Sequence, residues 1–336
     1  MNSNKQIVQQ IYKAVQQNKI SVIKYLLHQK VIDINAKYTE GNTLLHLVIQ
    51  FGCSDHTLVF NVREAIEFLL NTGADQSILN DIGIAPLHYA AQKGSVDSAQ
   101  VLIKNRAMVD IKSIFNYTPL HYAASNNKPN IIKILIEAGA DTSILNYRGL
   151  APLHYAAQDG FDDSAKALIK GGAIVDIKSN YGLTALHCAA ANNYITTIEL
   201  LTENGANLNA EDDGGYTPLD LAVGQGHREA IAFLLTKGGK YCTHENDQIN
   251  IDLDRATTEA QTGKKNVWEL QITENLSQNI TNHYISYADQ TLLGNFFNSA
   301  QDGIIEPLNT CFFNTFINVD EDIDRNGELP AENSHL

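Results

Sequence analysis

Cysteine is scarce in this sequence, and long apolar runs are absent. The four cysteines, Cys53, Cys188, Cys242 and Cys311, are widely separated, without a C-x-x-C pair or a histidine at zinc-ligand spacing. We therefore expect reduced thiols and an intracellular setting. No stretch reaches the roughly 18 to 20 apolar residues of a membrane span, and the first residues lack the apolar segment of a signal peptide. These absences predict an uncleaved cytoplasmic protein that does not enter a membrane.

The recognisable motifs of enzymes are missing as well. The sequence has no glycine-rich phosphate loop, no His-Glu-x-x-His pair and no nucleophile elbow. We expect no catalytic residue, no cofactor and no metal site, and therefore a protein that is not an enzyme. Its function must then depend on what the chain binds.

Positive charge is in short supply, most of all in the last third of the chain. The whole sequence has 24 Lys+Arg against 38 Asp+Glu, a net charge of -14. Residues 240–336 hold 5 of these basic and 16 of these acidic residues, which gives -11 and leaves -3 for the first 239 residues. Because an acidic chain repels phosphate groups, we expect neither nucleic acid nor a membrane surface as partner. A basic protein partner would suit this charge, and we expect the chain to be a monomer.

A repeat with a period of 33 residues is plain in the sequence. The heptapeptides that begin at residues 85, 118, 151 and 184 read Ala-Pro-Leu-His-Tyr-Ala-Ala, Thr-Pro-Leu-His-Tyr-Ala-Ala, Ala-Pro-Leu-His-Tyr-Ala-Ala and Thr-Ala-Leu-His-Cys-Ala-Ala. A further copy keeps the spacing but has Asp220 in place of the histidine. An earlier copy has His46, 42 residues before His88, which predicts an inserted loop near residues 54–62. Self-similarity of this kind indicates a stacked repeat architecture.

Each repeat contains the signals of two consecutive helices. Thr118 is a good N-cap and Pro119 is preset for the first helical position, so a helix begins there. Gly139 can adopt the left-handed conformation that ends a second helix. The apolar residues at helical spacing are Leu120, Ala123 and Ala124 in the first helix and Ile131, Ile132, Leu135 and Ile136 in the second. One such pair cannot bury its apolar faces alone, so neighbouring pairs must stack.

The 33-residue period with T-P-L-H, A-A and G-A-D closely resembles the ankyrin repeat over about residues 36–239. The resemblance implies an α-rich repeat solenoid in which β-hairpin tips and first helices line a concave surface that binds proteins. We predict an N-terminal capping repeat over 1–35 and six ankyrin repeats over 36–239. A partly helical C-terminal segment over 240–319 and a disordered acidic end over 320–336 complete the predicted organisation.

Some repeats depart from the pattern in ways that predict weaker units. Ala85 and Ala151 replace the capping threonine, which should cost each unit about 1 kcal/mol. Arg106 occupies the position of the helix-ending glycine, where a left-handed backbone strains a side chain. On top of the 33-residue period, residues 84–149 and 150–215 share 34 of 66 positions. This looks like the duplication of a two-repeat block, and differences between the copies at exposed positions could carry recognition.

The repeat register that the ankyrin resemblance implies places aromatic and arginine residues at the tips. These residue types are enriched in the hot spots of protein interfaces. The predicted tip contacts are Ile82, Phe115, Tyr117, Tyr147, Arg148, Tyr181 and Tyr216. An alternative for Tyr117 and Tyr216 is that they pack inside the fold. The predicted polar part of the groove consists of Gln92, Lys93, Asn126, Gln158, Asp159 and Asn192.

The repeated histidines invite comparison with a metal or acid–base site. They are His46, His88, His121, His154 and His187. Each stands at the start of a helix, once per repeat, and in similar repeats this histidine holds the tip by hydrogen bonds. Asp220 in the same position suits a hydrogen-bonding role better than a zinc site. We therefore interpret the histidines as structural.

Two kinds of function are compatible with this sequence. The first is a non-enzymatic adaptor or scaffold that holds a protein partner on its repeats, whether to tether, stabilise or inhibit it. The second is an enzyme or recruiter whose repeats select a substrate while the C-terminal segment acts on it, as in a secreted bacterial effector. Ankyrin proteins of intracellular bacteria, which enter a host cell, offer an analogy for this second possibility. Because the last 97 residues contain no clustered histidine, cysteine or acidic pairs, the first interpretation is favoured.

Overall fold

The computed structural model describes residues 13–14, 19–30, 32–52 and 62–241, and all the structural statements below refer to these residues. They form thirteen α-helices, without a β-strand in the described ranges. Apart from Gly224–Gly226, they belong to one compact unit. The helices are α1 (Ile20–His28), α2 (Leu44–Gly52), α3 (Val62–Asn71), α4 (Pro86–Lys93), α5 (Val96–Lys104), α6 (Pro119–Ser125), α7 (Pro129–Glu137), α8 (Pro152–Gln158), α9 (Asp162–Lys170), α10 (Ala185–Ala191), α11 (Ile195–Glu203), α12 (Pro218–Gly224) and α13 (Arg228–Thr236).

The helices pack in two layers, one made of first helices and the other of second helices. In the first layer α2 contacts α4, and the contacts continue in order through α6, α8 and α10. In the second layer α3 contacts α5, and the contacts continue through α7, α9 and α11 to α13. The predicted helix pair of each repeat and its stacking on the next are thereby confirmed.

The core between the layers is built from the residues that the repeat pattern marks as apolar. Leu120, Ala123 and Ala124 of α6 are fully buried, and so are Ile132 and Leu135 of α7. Two adjacent alanines in each of α4, α6, α8 and α10 let these first helices approach closely, since alanine has no side chain beyond Cβ.

The second helices end as expected, with a left-handed residue. Gly139 has φ +93°, and a Cβ at this position would meet no atom within 4 Å. Glycine is therefore favoured here because the backbone is left-handed, and not because a side chain would clash. Arg106 at the equivalent position has φ +66°. The predicted left-handed arginine is therefore present, and it strains the end of α5.

The tips differ from the β-hairpins that we expected. Each tip is a tight turn closed by two backbone bonds, such as Asn146 N–H to Leu150 O at 3.0 Å and Gly149 N–H to Asn146 O at 2.9 Å. The Asn146 side chain accepts bonds from the backbone N–H groups of Arg148 and Leu150, each at 3.0 Å. Because a side chain satisfies these N–H groups, no ladder of backbone bonds extends from the turn, and no strand forms.

The same side-chain anchor recurs in five consecutive tips, and the sequence analysis had not identified it. Its residues are Asn80, Ser113, Asn146, Ser179 and Asp212, each of which accepts a bond from the backbone N–H four residues later. The alternation of asparagine and serine follows the 66-residue duplication. An Asx or Ser turn at a fixed offset before each helix was the signal that could have revealed it.

Hydrogen bonds from the repeated histidines connect each first helix to the tip of the following repeat. His121 Nδ1 lies 3.1 Å from the backbone nitrogen of Thr118, and its Nε2 lies 3.0 Å from the carbonyl oxygen of Leu150. A backbone N–H can only donate, so Nδ1 is the acceptor and Nε2 carries the proton that is donated to Leu150. Leu150 O also accepts the N–H that closes its own tip, so this one carbonyl receives both bonds.

The arrangement repeats along the stack, and we call it the histidine ladder. The other four bonds run from His46 to Ile84 O at 2.9 Å, His88 to Tyr117 O at 3.0 Å, His154 to Leu183 O at 2.9 Å and His187 to Tyr216 O at 3.0 Å. In the sixth repeat Asp220 stands at the histidine position. Its carboxylate accepts a hydrogen bond from the backbone N–H of Thr217 at 2.7 Å, as Nδ1 of the histidine does in the other repeats.

Some predictions concern residues outside the described ranges. They include the first helix of the N-terminal capping repeat, most of the inserted loop near 54–62, and the chain from residue 242 to the end, with the segments 240–319 and 320–336 that we distinguished there. Cys53, Cys242 and Cys311 also lie outside these ranges, whereas Cys188 is a buried free thiol.

Replacing Leu120 by alanine tests the stacking. Leu120 is fully buried in α6, so Leu120→Ala leaves a cavity in the shared core. We expect the free energy of unfolding to fall by about 2 to 5 kcal/mol, measured by denaturant unfolding. Leu145→Ala is the matched control, since Leu145 lies in a tip and is 36% exposed. Equal losses in both variants would contradict the packing.

The histidine ladder predicts a loss of stability in acid. Burial lowers the pKa of His46, His88, His121 and His187 to about 4, and it also lowers the pKa of His154. The unfolded chain binds protons on these rings below about pH 6.5, whereas the folded chain binds them only at lower pH, near 4 for His46, His88, His121 and His187. The contribution is therefore complete above pH 6.5 and is lost as the pH falls toward 4.

Three carboxyl groups oppose this trend, since burial raises the pKa of Asp159 and of Asp212 to about 6 and also raises the pKa of Asp110. Since five histidines outnumber these carboxyl groups, we expect the free energy of unfolding to fall as the pH drops from 6 to 5. Denaturant unfolding at pH 7, 6 and 5 measures it. Stability that is flat over this range would show that the histidines are not held in the neutral form.

Candidate functional site

Three of the seven large apolar side chains that are exposed in the described ranges lie on three consecutive tips. Ile82, Ile114 and Tyr147 are 41%, 54% and 41% exposed, and Phe115 is half-buried. We define the tip patch as Ile82, Ile114, Phe115, Tyr147 and Arg148. Ile114 was not among the predicted contacts, because the sequence argument counted aromatic and arginine residues more readily than aliphatic ones.

The tip patch is continuous because neighbouring tips are bonded and packed to each other. The rings of Phe115 and Tyr147 lie 5.3 Å apart, and the backbone N–H of Tyr147 donates to the carbonyl oxygen of Phe115 at 3.1 Å. A Cβ on Gly83 would clash with Ile114, so the second and third tips are also in close contact. The three tips therefore present one surface.

Arg148 lies along the Tyr147 ring instead of extending into solvent. Its guanidinium carbon is 5.1 Å from the ring centroid, and its Nε donates to the Tyr147 hydroxyl at 2.6 Å. This arrangement combines a cation–π contact with a hydrogen bond and holds both side chains in place. The pair supplies a flat aromatic surface with a fixed positive charge at its edge.

Two of the predicted tip contacts are not on the surface. Tyr117 is 3% exposed and Tyr216 is 5% exposed, so the alternative we considered, that they pack inside, describes them. Both stand directly before the threonine that opens a first helix, at the position where the chain leaves the tip and enters the core. Tyr181, in the fifth tip, is half-buried.

Tyr117 instead supports the tip patch from below. Its hydroxyl lies 2.7 Å from that of Tyr155, which also accepts a bond from the Asn146 side-chain amide at 2.8 Å. Asn146 anchors the turn that carries Tyr147 and Arg148. The buried pair of tyrosines therefore connects the third tip to the fourth, and sequence reasoning did not predict this connection.

The predicted groove residues lie where the first helices end. Lys93, Asn126, Asp159 and Asn192 occupy equivalent positions in four successive repeats, 33 residues apart. The Asn126 and Asn192 amides donate to the carbonyl oxygens of Tyr122 and Cys188, both at 2.9 Å, and so terminate their own helices.

The predicted groove residues differ in their exposure to solvent. Lys93 is exposed, Gln92 is half-buried, and Gln158 is buried at 7% exposure. Gln158 is therefore part of the packing and offers little surface to a partner. Asp159 is half-buried, and burial raises its pKa to about 6, so this carboxyl is partly protonated near pH 6.

No site for a metal or a membrane-spanning helix was found in the described ranges. No group of three or more histidine, cysteine, aspartate or glutamate side chains is placed there to hold a metal ion. None of the described helices is both long and apolar enough to cross a bilayer.

Comparison with known proteins gives the same family that the geometry indicates. The family model for ankyrin repeats matches in five overlapping segments that together run from residue 11 to residue 246. Neurogenic locus notch homolog protein 1 of Mus musculus is 31% identical over 103 residues, which are 31% of this chain and 4% of that protein. Transient receptor potential cation channel subfamily A member 1 of Homo sapiens is 32% identical over 91 residues, which are 27% of this chain and 7% of that protein. The chain thus spans a small part of the length of these relatives. It belongs to the ankyrin-repeat family.

Proposed function

We propose that this protein is a non-enzymatic adaptor that binds a protein partner on its tip patch. The observation that carries the proposal is the clustering of exposed apolar and aromatic side chains on three consecutive tips. Ankyrin repeats generally mediate protein–protein interaction. We assign this general function to the tip patch of this chain.

The tip patch has the physical character of an interface hot spot. Tyrosine, phenylalanine and arginine provide a large contact area with few rotatable bonds, and they dominate the binding energy of many interfaces. Tyr147 and Arg148 already hold each other, and Tyr155 with Asn146 fixes the turn beneath them. Because these side chains are ordered before binding, they lose less conformational entropy when a partner binds.

The ends of the first helices would form the polar rim of this interface. Lys93 and Asp159 provide charges of opposite sign, and Gln92, Asn126 and Asn192 provide amides. Polar rims fix the orientation of a partner more than they add affinity. We therefore assign the affinity to the tips and the selectivity to the helix ends.

Removing the two central rings tests the proposal. We expect Phe115→Ala with Tyr147→Ala to abolish capture of a partner from cell lysate while the melting temperature stays nearly unchanged, since both rings lie at the surface. The full chain and the double variant are compared by affinity capture and quantitative mass spectrometry, and the melting temperature of each is measured in parallel.

The matched control removes the same kind of surface elsewhere. Met108 and Ile174 are 59% and 57% exposed and lie in loops after second helices, outside the tip patch. Met108→Ala with Ile174→Ala should retain every captured protein. Unchanged capture by the tip variant, or loss of capture in step with loss of stability, would refute the proposed site.

A further inference from the structure

Acidic residues stand on both sides of the tip patch. Glu40 and Asp81 lie in the first and second tips, where the backbone N–H of Asp81 donates to the carbonyl oxygen of Glu40 at 3.0 Å. Glu211 and Asp213 lie in the sixth tip. All four residues are exposed. The row of tips is thus acidic at its two ends and apolar in its middle.

Two lysines stand near these ends, Lys37 three residues before Glu40 and Lys178 beside Glu211, so each end keeps one net negative charge. Arg148 belongs to the centre of the row and is held against Tyr147. Lys178 donates to the carbonyl oxygen of Glu211 at 2.8 Å, and Lys112 lies near Asp110 and Asp141.

Neither the chain's own C-terminal segment nor a second copy of the chain complements this pattern. Residues 240–336 carry a net charge of -11, and the whole chain carries -14. Like charges brought together at an interface oppose association. A partner with basic residues at both ends of its contact satisfies the charges that the tips present.

The repeat spacing sets the length of that contact. Packed helices lie about 10 Å apart, and an extended chain advances about 3.3 Å per residue, so roughly three residues of a partner correspond to one repeat. Asp81 and Asp213 occupy equivalent positions four repeats apart. An extended segment that reaches from one to the other has about twelve residues.

Resting on the proposed function, we propose that the tips bind an extended partner segment of about twelve residues with an apolar centre and Lys or Arg at both ends. The apolar centre packs on Ile114, Phe115 and Tyr147. The basic residues at one end face Glu40 and Asp81, and those at the other end face Glu211 and Asp213.

The test is selection from a phage-displayed library of random dodecapeptides on the full chain. We expect the selected sequences to share large apolar residues at the centre and Lys or Arg near both termini. The consensus peptide is then synthesised, and its Kd is measured by fluorescence anisotropy for wild type and for Asp81→Asn with Asp213→Asn. We expect Kd to rise about tenfold in the double variant and to rise with ionic strength in wild type.

The choice of asparagine keeps the fold intact. Asn180 already occupies this tip position in the fifth repeat, where it packs against Gly149. The control, Glu137→Gln with Glu203→Gln, removes two exposed carboxylates from the second helices and should leave Kd unchanged.

The outcomes separate this inference from the proposed function. One outcome would overturn the charge pattern and leave the tip site standing: the selected peptides lose binding to the Phe115→Ala with Tyr147→Ala variant but lack basic ends. Equally tight binding to wild type and to the Asp81→Asn with Asp213→Asn variant would have the same meaning. Selected peptides that keep binding when the two rings are removed would overturn both. A selection that enriches no sequence would overturn the extended-segment inference, and lysate capture would still decide the proposed function.

Discussion

The structure depends on one hydrogen bond that is repeated five times, from a neutral histidine to the carbonyl at the base of the next tip. Each of these carbonyl oxygens also closes its own turn, as Leu150 O does for the turn that begins at Asn146. The position of a tip is therefore set by the first helix of the preceding repeat. Protonation of the ring would place a second donor opposite the Thr118 N–H, so this contact requires the neutral form.

The tip patch follows from that constraint. Side chains on separate turns form one surface only if the turns are held in register, and the ladder provides this register. Bonds between the tips, such as that from Tyr147 to Phe115 O, and the buried pair of Tyr117 and Tyr155 reinforce it. The proposed binding surface thus depends on buried polar contacts, while stacking energy comes from the apolar layers.

Much of the fold could be predicted from the sequence because the repeat makes the local signals redundant. Thr118 and Pro119 mark a helix start, and glycine or the strained Arg106 marks a helix end, at fixed offsets. The candidate site was less predictable. Register alone places Tyr117 and Tyr147 in the same kind of turn, but only the side-chain anchor at Asn146 and the packing below decide that one ring points inward and the other outward. That anchor acts through backbone N–H groups, which leave no apolar periodicity in the sequence.

The most direct test of this account is the protonation state and tautomer of the five ladder histidines, read from ¹⁵N chemical shifts of the imidazole rings in the folded protein at pH 5.5. The account predicts neutral rings protonated at Nε2 for His46, His88, His121, His154 and His187, with Nδ1 in the shift range of an unprotonated acceptor. Rings that titrate near their ordinary pKa, or that carry their proton on Nδ1, would contradict it.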